Sequence, residues 1–175
     1  RGEIDAYPEY TGTIAREILA KQNITSRKSM IDALASKGVS MSAPLGFNNT
    51  YALAVTAKTA KKHSLRTISD LKNFQNLKLG FSNEFMDRGD GWPALKRRYG
   101  LPQSDARGLD HDLAYRGLNS GDIDIIDVYT TDAEIPYYGL RLLTDDQQHF
   151  PRYDAVILFR SALKSTAPAA SAAFM

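Results

Sequence analysis

The sequence predicts an α/β fold with mostly parallel sheets. Three observations predict it. β-prone apolar runs alternate with helical patterns along all 175 residues. The connections between them are short and carry Gly, Pro, Asn and Ser. A strand signature near the start also returns 119 residues later: Gly2-Glu3-Ile4-Asp5-Ala6-Tyr7-Pro8-Glu9-Tyr10-Thr11-Gly12-Thr13 aligns without gaps on Gly121-Asp122-Ile123-Asp124-Ile125-Ile126-Asp127-Val128-Tyr129-Thr130-Thr131-Asp132, with five of twelve positions identical. Each copy is a strand ending in Tyr-Thr. The spacing is too long for a solenoid and suggests two similar lobes. Ligands of open α/β sheets sit at the carboxyl ends of strands, so Tyr10 and Tyr129 would reach one cleft from opposite sides. Chance likeness between two common strand signals is the competing explanation.

Each element follows from its residues. Arg1 to Asp5 reads as the end of a turn entering a strand over 4–10. A helix is expected over 13–21, with Ile14 and Ile18 four apart on one face. Ser26 is placed to cap a second helix carrying Met30, Ile31 and Leu34, with Gly38 at its C′ position. Residues 51–56 are apolar and β-prone. Thr67-Ile68-Ser69-Asp70 resembles a capping box with Asp in place of Glu. Residues 77–81 form a buried-strand candidate. Pro93 suits the first turn of a helix that ends at Tyr99 before Gly100. A helix over 110–118 leads through Gly121 into a strand over 123–129. Residues 140–143 and 155–159 are further strands, and Pro168 opens a last helix. Both ends look unfinished: nothing precedes the first strand to cover it, and Ser171 to Met175 stops in a helical pattern without a C-cap. A fragment of a longer protein is therefore expected, and a short chain with frayed ends is the alternative.

Composition excludes several classes. With 43% hydrophobic and 24% charged residues the chain is not disordered. Lys+Arg 22 against Asp+Glu 20 gives a net charge of +2, which shows no sign of the concentrated basic face of a nucleic-acid binder. The absence of cysteine removes disulfides, thiolate zinc sites and thiol nucleophiles, and leaves the redox compartment open. No apolar run approaches the roughly 18 residues that cross a bilayer. No signal peptide is present, and a start at Arg1 leaves open what stood upstream.

Catalytic and metal chemistry find little support. There is no Gly-x-Ser-x-Gly elbow. His63, His111 and His149 lie far apart in polar segments and are expected at the surface. No acidic or histidine cluster has metal-ligand spacing, so neither a metal nor another cofactor is expected. Alternation along a strand points Asp122 and Asp124 to one face and Asp127 to the other. Glu9 and Asp132 could form the paired carboxylates of an enzyme, but neither carries a motif beyond its residue type. Tyrosine is more informative. Of nine, Tyr10, Tyr51, Tyr129 and Tyr153 fall at expected strand ends or loops beside Thr, Asn or Asp. Such tyrosines are usually core edge or surface. Four converging would form an electron-rich box for a cation with no N–H to donate, at about 0.5–2 kcal/mol per cation–π contact. A quaternary ammonium is the natural guest. Arg88 could bind a carboxylate through two parallel hydrogen bonds, and its plainer alternative is an ion pair with Asp87 or Asp90.

Five ordered blocks then resemble one family. They are the Gly2 to Thr13 segment, Leu45-Gly46-Phe47-Asn48-Asn49-Thr50-Tyr51-Ala52-Leu53-Ala54-Val55, Phe81-Ser82-Asn83-Glu84-Phe85-Met86-Asp87-Arg88-Gly89-Asp90-Gly91, Asp127-Val128-Tyr129-Thr130-Thr131-Asp132 and Phe150-Pro151-Arg152-Tyr153. Together they resemble the substrate-binding proteins of osmoprotectant ABC transporters, the glycine betaine/carnitine/choline type. The resemblance implies a two-lobed, type II periplasmic-binding-protein-like α/β fold with two crossovers, truncated here at both ends. It assigns residues 1–49 and 152–175 to one lobe and about 50–151 to the other. The family's cage tyrosines match Tyr10, Tyr51, Tyr129 and Tyr153, and its carboxylate-binding positions match Thr13 and Arg88. Asn49 stands where some relatives have Asp. The resemblance further implies a quaternary-ammonium ligand such as glycine betaine, an ABC permease as partner, an extracytoplasmic location and no enzymatic step. Choline, carnitine, proline betaine and ergothioneine remain open as ligands. The effector domain of a transcription regulator can share this fold, but no helix–turn–helix is present here.

Overall fold

In the computed structural model, which describes residues 3–174, the chain begins with β1 (Ala6–Tyr10) and α1 (Thr11–Thr13), which widens into a π-helical stretch (Ile14–Ile18). It continues through α2 (Arg27–Ala35), β2 (Val39–Met41), β3 (Tyr51–Val55), α3 (Ala57–His63) and a 3₁₀ helix (Ile68–Asn73). Then come β4 (Leu79–Ser82), α4 (Asn83–Asp87), α5 (Trp92–Tyr99), β5 (Ala106–Leu109), α6 (His111–Ser120) and β6 (Ile126–Tyr129). The chain ends with α7 (Glu134–Tyr137), β7 (Arg141–Leu143), β8 (Ala155–Arg160), α8 (Leu163–Thr166) and α9 (Pro168–Ala172). The described elements fall into two compact units, 3–49 with 152–174, and Thr50–Pro151. The expected lead-in at Arg1 and Gly2 and the helical end at Met175 lie outside the described residues. No helix among the described residues is long and apolar enough to cross a membrane.

The first unit has a sheet in the order β1-β8-β2, with β8 antiparallel to both neighbours. Ser26 caps α2: its hydroxyl accepts the Ser29 N–H at 3.1 Å. Met30 and Leu34 then face inward, and Ile31 is exposed. Gly38 adopts φ +73° two residues beyond the end residue Ser36, where a side chain would be strained. The expected Ile14/Ile18 stripe does not form. Leu19 N–H donates to Ile14 O at 2.8 Å, five residues apart. That wider turn puts Leu19 under Ile14, at 1% and 0% exposure, and rotates Ile18 out to 39%. Ile14, Leu19, Met30, Leu34, Val156 and Leu158 form this unit's core.

In the second unit β3 lies between β6 and β7, antiparallel to both. β4 pairs with β5 in parallel, and a parallel bridge at Leu79 and Ile125 ties β4 to the residue just before β6. All five β3 residues are buried. Ala52 and Ala54 pack with Ala114, Tyr115 and Leu118 of α6 and with Ile126 and Val128 of β6. This corrects the expected mostly parallel sheets. β–α alternation implies parallel pairing only where a helix crosses between neighbouring strands. In both units the strand that receives the chain from the other unit, β3 or β8, is inserted against its neighbours' direction. Neither insertion leaves a periodicity in the sequence. The elements that were not anticipated, β2, α3, α4, β5, α7 and α8, are three to seven residues long. They are too short for a periodic signal.

Candidate functional site

Sheet register makes the first contact of the site. The β3–β6 pairing sets Tyr51 directly opposite Tyr129. Side chains directly opposite on one face stand close enough to touch, and the two ring centroids are 4.9 Å apart, tilted by 47°. Tyr51 also packs on Phe85 at 5.2 Å and leaves only 4% of its surface exposed, whereas Tyr129 is half-buried. Burial pushes the Tyr129 phenol up to about 12 and raises Tyr51 further, so both stay protonated at neutral pH. Each phenol can therefore donate a proton. Tyr51 donates to Glu84 Oε1 at 3.2 Å and Tyr129 to Glu84 Oε2 at 3.0 Å.

Glu84 and Arg88 are held there by a buried polar clamp. Asp127, in the middle of β6 and fully buried, accepts the Ser82 N–H at 2.6 Å and the Ser82 hydroxyl at 2.7 Å. Burial raises the Asp127 carboxyl pKa despite these bonds. Ser82 in turn caps α4 by accepting the Phe85 N–H at 3.1 Å. The helix places Glu84 in its first turn and Arg88 just after it, four residues on. Arg88 is buried, with its Nε 2.9 Å and Nη2 3.3 Å from the two Asp90 oxygens and its Nη1 3.3 Å from Glu84 Oε1. Its guanidinium carbon lies 5.2 Å from the Tyr51 ring centroid. Of the two ion-pair partners considered from sequence, Asp90 takes the fork. The turn back toward α4 needs Gly91, where a Cβ would lie 1.9 Å from the Phe85 carbonyl oxygen.

A second polar group backs Tyr129. Asp132 Oδ2 accepts the Tyr129 N–H at 2.9 Å and the Tyr115 hydroxyl at 2.7 Å, and lies 3.0 Å from His111 Nε2. The His111 ring packs on Tyr129 at 5.0 Å. The bond to Asp132 raises the His111 pKa against burial. Burial acts to raise Asp132, but the bonds from His111, Tyr115 and the Tyr129 N–H outweigh it and hold that carboxyl low. The pair's stabilisation is thus fullest between the ordinary values of 3.8 and 6.5. It declines as pH rises through the elevated His111 value, and again as pH falls through the lowered Asp132 value. His111→Gln should therefore cost about 1 kcal/mol near pH 5.5 and much less at pH 9. Thermal melts at the two pH values check this, and a pH-independent loss would reject the charged pair.

The remaining sequence candidates belong to the other unit. Tyr10 is half-buried at the end of β1 and pairs with Ala155. Tyr153 is buried on Gly12, where a Cβ would lie 2.5 Å from two ring carbons, so only glycine admits the ring. Tyr153 N–H donates to Asn48 Oδ1 at 2.7 Å, and the Asn49 N–H donates to Tyr153 O at 3.0 Å. Thr13 is the third residue of α1 rather than the first; Thr11 leads, with its N–H on Asp154 O at 3.0 Å. The structure thus joins Tyr51, Tyr129 and Arg88 in one unit. It places Tyr10, Thr13, Asn49 and Tyr153 in the other.

Sequence reasoning missed Glu84 and His111 as members of the site, and had Asp90 only as an alternative partner of Arg88 and Asp132 only as a candidate enzyme carboxylate. The four-residue spacing of Glu84 and Arg88 was a usable signal. His111 and His149 are not plain surface residues: His111 meets Asp132, and His149 Nε2 lies 2.8 Å from Asp90 O. Among the described residues no group of three His, Asp or Glu could hold a metal ion. Neutral ring faces beside a carboxylate suit a soft, positively charged guest.

The α/β architecture, crossed twice by the chain, is that of the type II periplasmic solute-binding proteins. A solved structure described as a glycine betaine/carnitine/choline ABC transporter matches it with TM-score 0.74 and 32% identity, over 99% of this chain and 66% of that one. The chain belongs to the OpuAC family, the substrate binding domain of ABC-type glycine betaine transport systems, whose profile matches residues 1–175. It is similar to the ergothioneine transport permease/ergothioneine binding protein EgtU of Helicobacter pylori (strain G27), 34% identical over 97% of this chain and 32% of that protein. It is also similar to the carnitine transport binding protein OpuCC of Listeria monocytogenes, 40% identical over 65% of this chain and 37% of that protein. The chain therefore spans about a third of each of these two relatives.

Proposed function

We propose that this protein captures a quaternary-ammonium compatible solute outside the cytoplasm and presents it to an ABC permease, performing no chemistry on it. The family's cage pattern assigns the ring faces for the methylated nitrogen to Tyr10, Tyr51, Tyr129 and Tyr153. Arg88 and Thr13 serve the carboxylate of a betaine. The observation that carries this reading is the Tyr51–Tyr129 pair, tilted and touching at 4.9 Å with both hydroxyls turned to Glu84. With its hydroxyl tied up in this way, the half-buried Tyr129 has its ring rather than its hydroxyl to offer a ligand. Family membership supports the same ligand class. Asn49, where some relatives have Asp, is expected to tune the head group accepted.

Glycine betaine is the first ligand to test. Its handful of heavy atoms limits affinity to about −12 kcal/mol at the efficiency ceiling of small ligands, and micromolar binding needs only about −8 kcal/mol. Calorimetry of the full-length protein against glycine betaine, carnitine, choline and ergothioneine should show micromolar binding of at least one of them. Glycine, with a primary ammonium, should bind at least a hundredfold more weakly. Tight glycine binding would reject recognition by ring faces.

A further inference from the structure

We infer that Glu84 sets which quaternary ammonium this cage prefers, favouring a bare cation over a zwitterion. The inference rests on the cage reading above and deepens it. Glu84 touches both phenols, with one oxygen for each. It is also the partner of Arg88 Nη1 at 3.3 Å, while the forked edge of that guanidinium faces Asp90. The Glu84 carboxylate, more than half exposed beside the two hydroxyls, presents negative charge to an approaching ligand. A ligand carboxylate would have to compete with Glu84 for Arg88, and it would meet like charge on approach. A ligand with no carboxylate pays neither cost and gains the attraction of Glu84. The Glu84 side chain is 56% exposed, so water weakens the effect to a few-fold rather than abolishing it.

The test compares choline with glycine betaine by calorimetry on the full-length protein. Glu84→Gln keeps the size and a hydrogen-bonding oxygen but removes the charge. Choline affinity should fall about three- to tenfold, and betaine affinity should hold or rise, as Arg88 Nη1 is released. Glu84→Asp keeps the charge but is too short to span both hydroxyls. It should weaken both ligands and leave their ranking as in the wild type. A purely structural brace would make Glu84→Gln weaken both ligands by the same factor, and that result overturns the inference. A readout without any variant is salt: added NaCl should weaken choline binding to the wild type more steeply than betaine binding, and equal slopes also overturn the inference. Wild type that binds carnitine or ergothioneine but not choline overturns the inference, whereas wild type that binds none of the four fails the cage reading, and the two failures are thereby told apart.

Discussion

Tyr129→Ala is expected to weaken glycine betaine binding at least tenfold. Removing one ring face forfeits a cation–π contact of about 0.5–2 kcal/mol. The same change removes the hydroxyl that lies 3.2 Å from that of Tyr51 and one of the two phenol donors to Glu84. The neighbouring ring then loses its orientation as well. Tenfold corresponds to about 1.4 kcal/mol, so a single contact plus modest loosening reaches it. Tyr129 is a cleaner target than Tyr51, which at 4% exposure is also a core residue packed on Phe85. Truncating Tyr51 would open a cavity and confuse binding with stability. Tyr129→Phe keeps the ring and should lose far less than Tyr129→Ala. Calorimetry decides, with circular dichroism to confirm folding, and unchanged affinity in Tyr129→Ala would reject the cage.

Arg88→Ala is expected to cost both stability and selectivity. Asp90 is only 5% exposed and holds the fork of the guanidinium. Removing the cation strands a buried carboxylate, which typically costs about 3–5 kcal/mol. For a chain of this size the melting temperature should fall by on the order of 10 °C. Betaine binding should suffer far more than choline binding, because only betaine has a carboxylate to lose. The double change Arg88→Met with Asp90→Leu removes both charges together and should recover most of the melting temperature, but not betaine affinity. Equal losses of betaine and choline in Arg88→Ala would reject the carboxylate role. A double variant as unstable as the single one would reject the account of Asp90.

The resemblance noticed in five blocks led to the right family because those blocks carry the strand ends and the loops beside them. β1 and β6 do end at Tyr10 and Tyr129, as the internal repeat suggested. Helix punctuation was equally legible. Ser26 caps its helix, Asp70 Oδ2 accepts the Thr67 N–H at 2.8 Å, and Gly100 and Gly121 close α5 and α6 at φ +61° and +84°. Asp127, placed by alternation on the opposite face from Asp122 and Asp124, is the one of the three that is fully buried.

These features were readable because each depends on residues within a turn or two of one another, where backbone geometry and local hydrogen bonding leave a mark on composition and spacing. Strand direction, the phenol partners of Glu84 and the partners of His111 were decided only in three dimensions. β3 meets β6 at a sequence separation of 78, as Tyr51 and Tyr129 show. Asp127 fixes Ser82 at a separation of 45. Pairing at such distances follows from burial and register, which come from the summed packing of the whole unit. No single stretch of sequence records that sum.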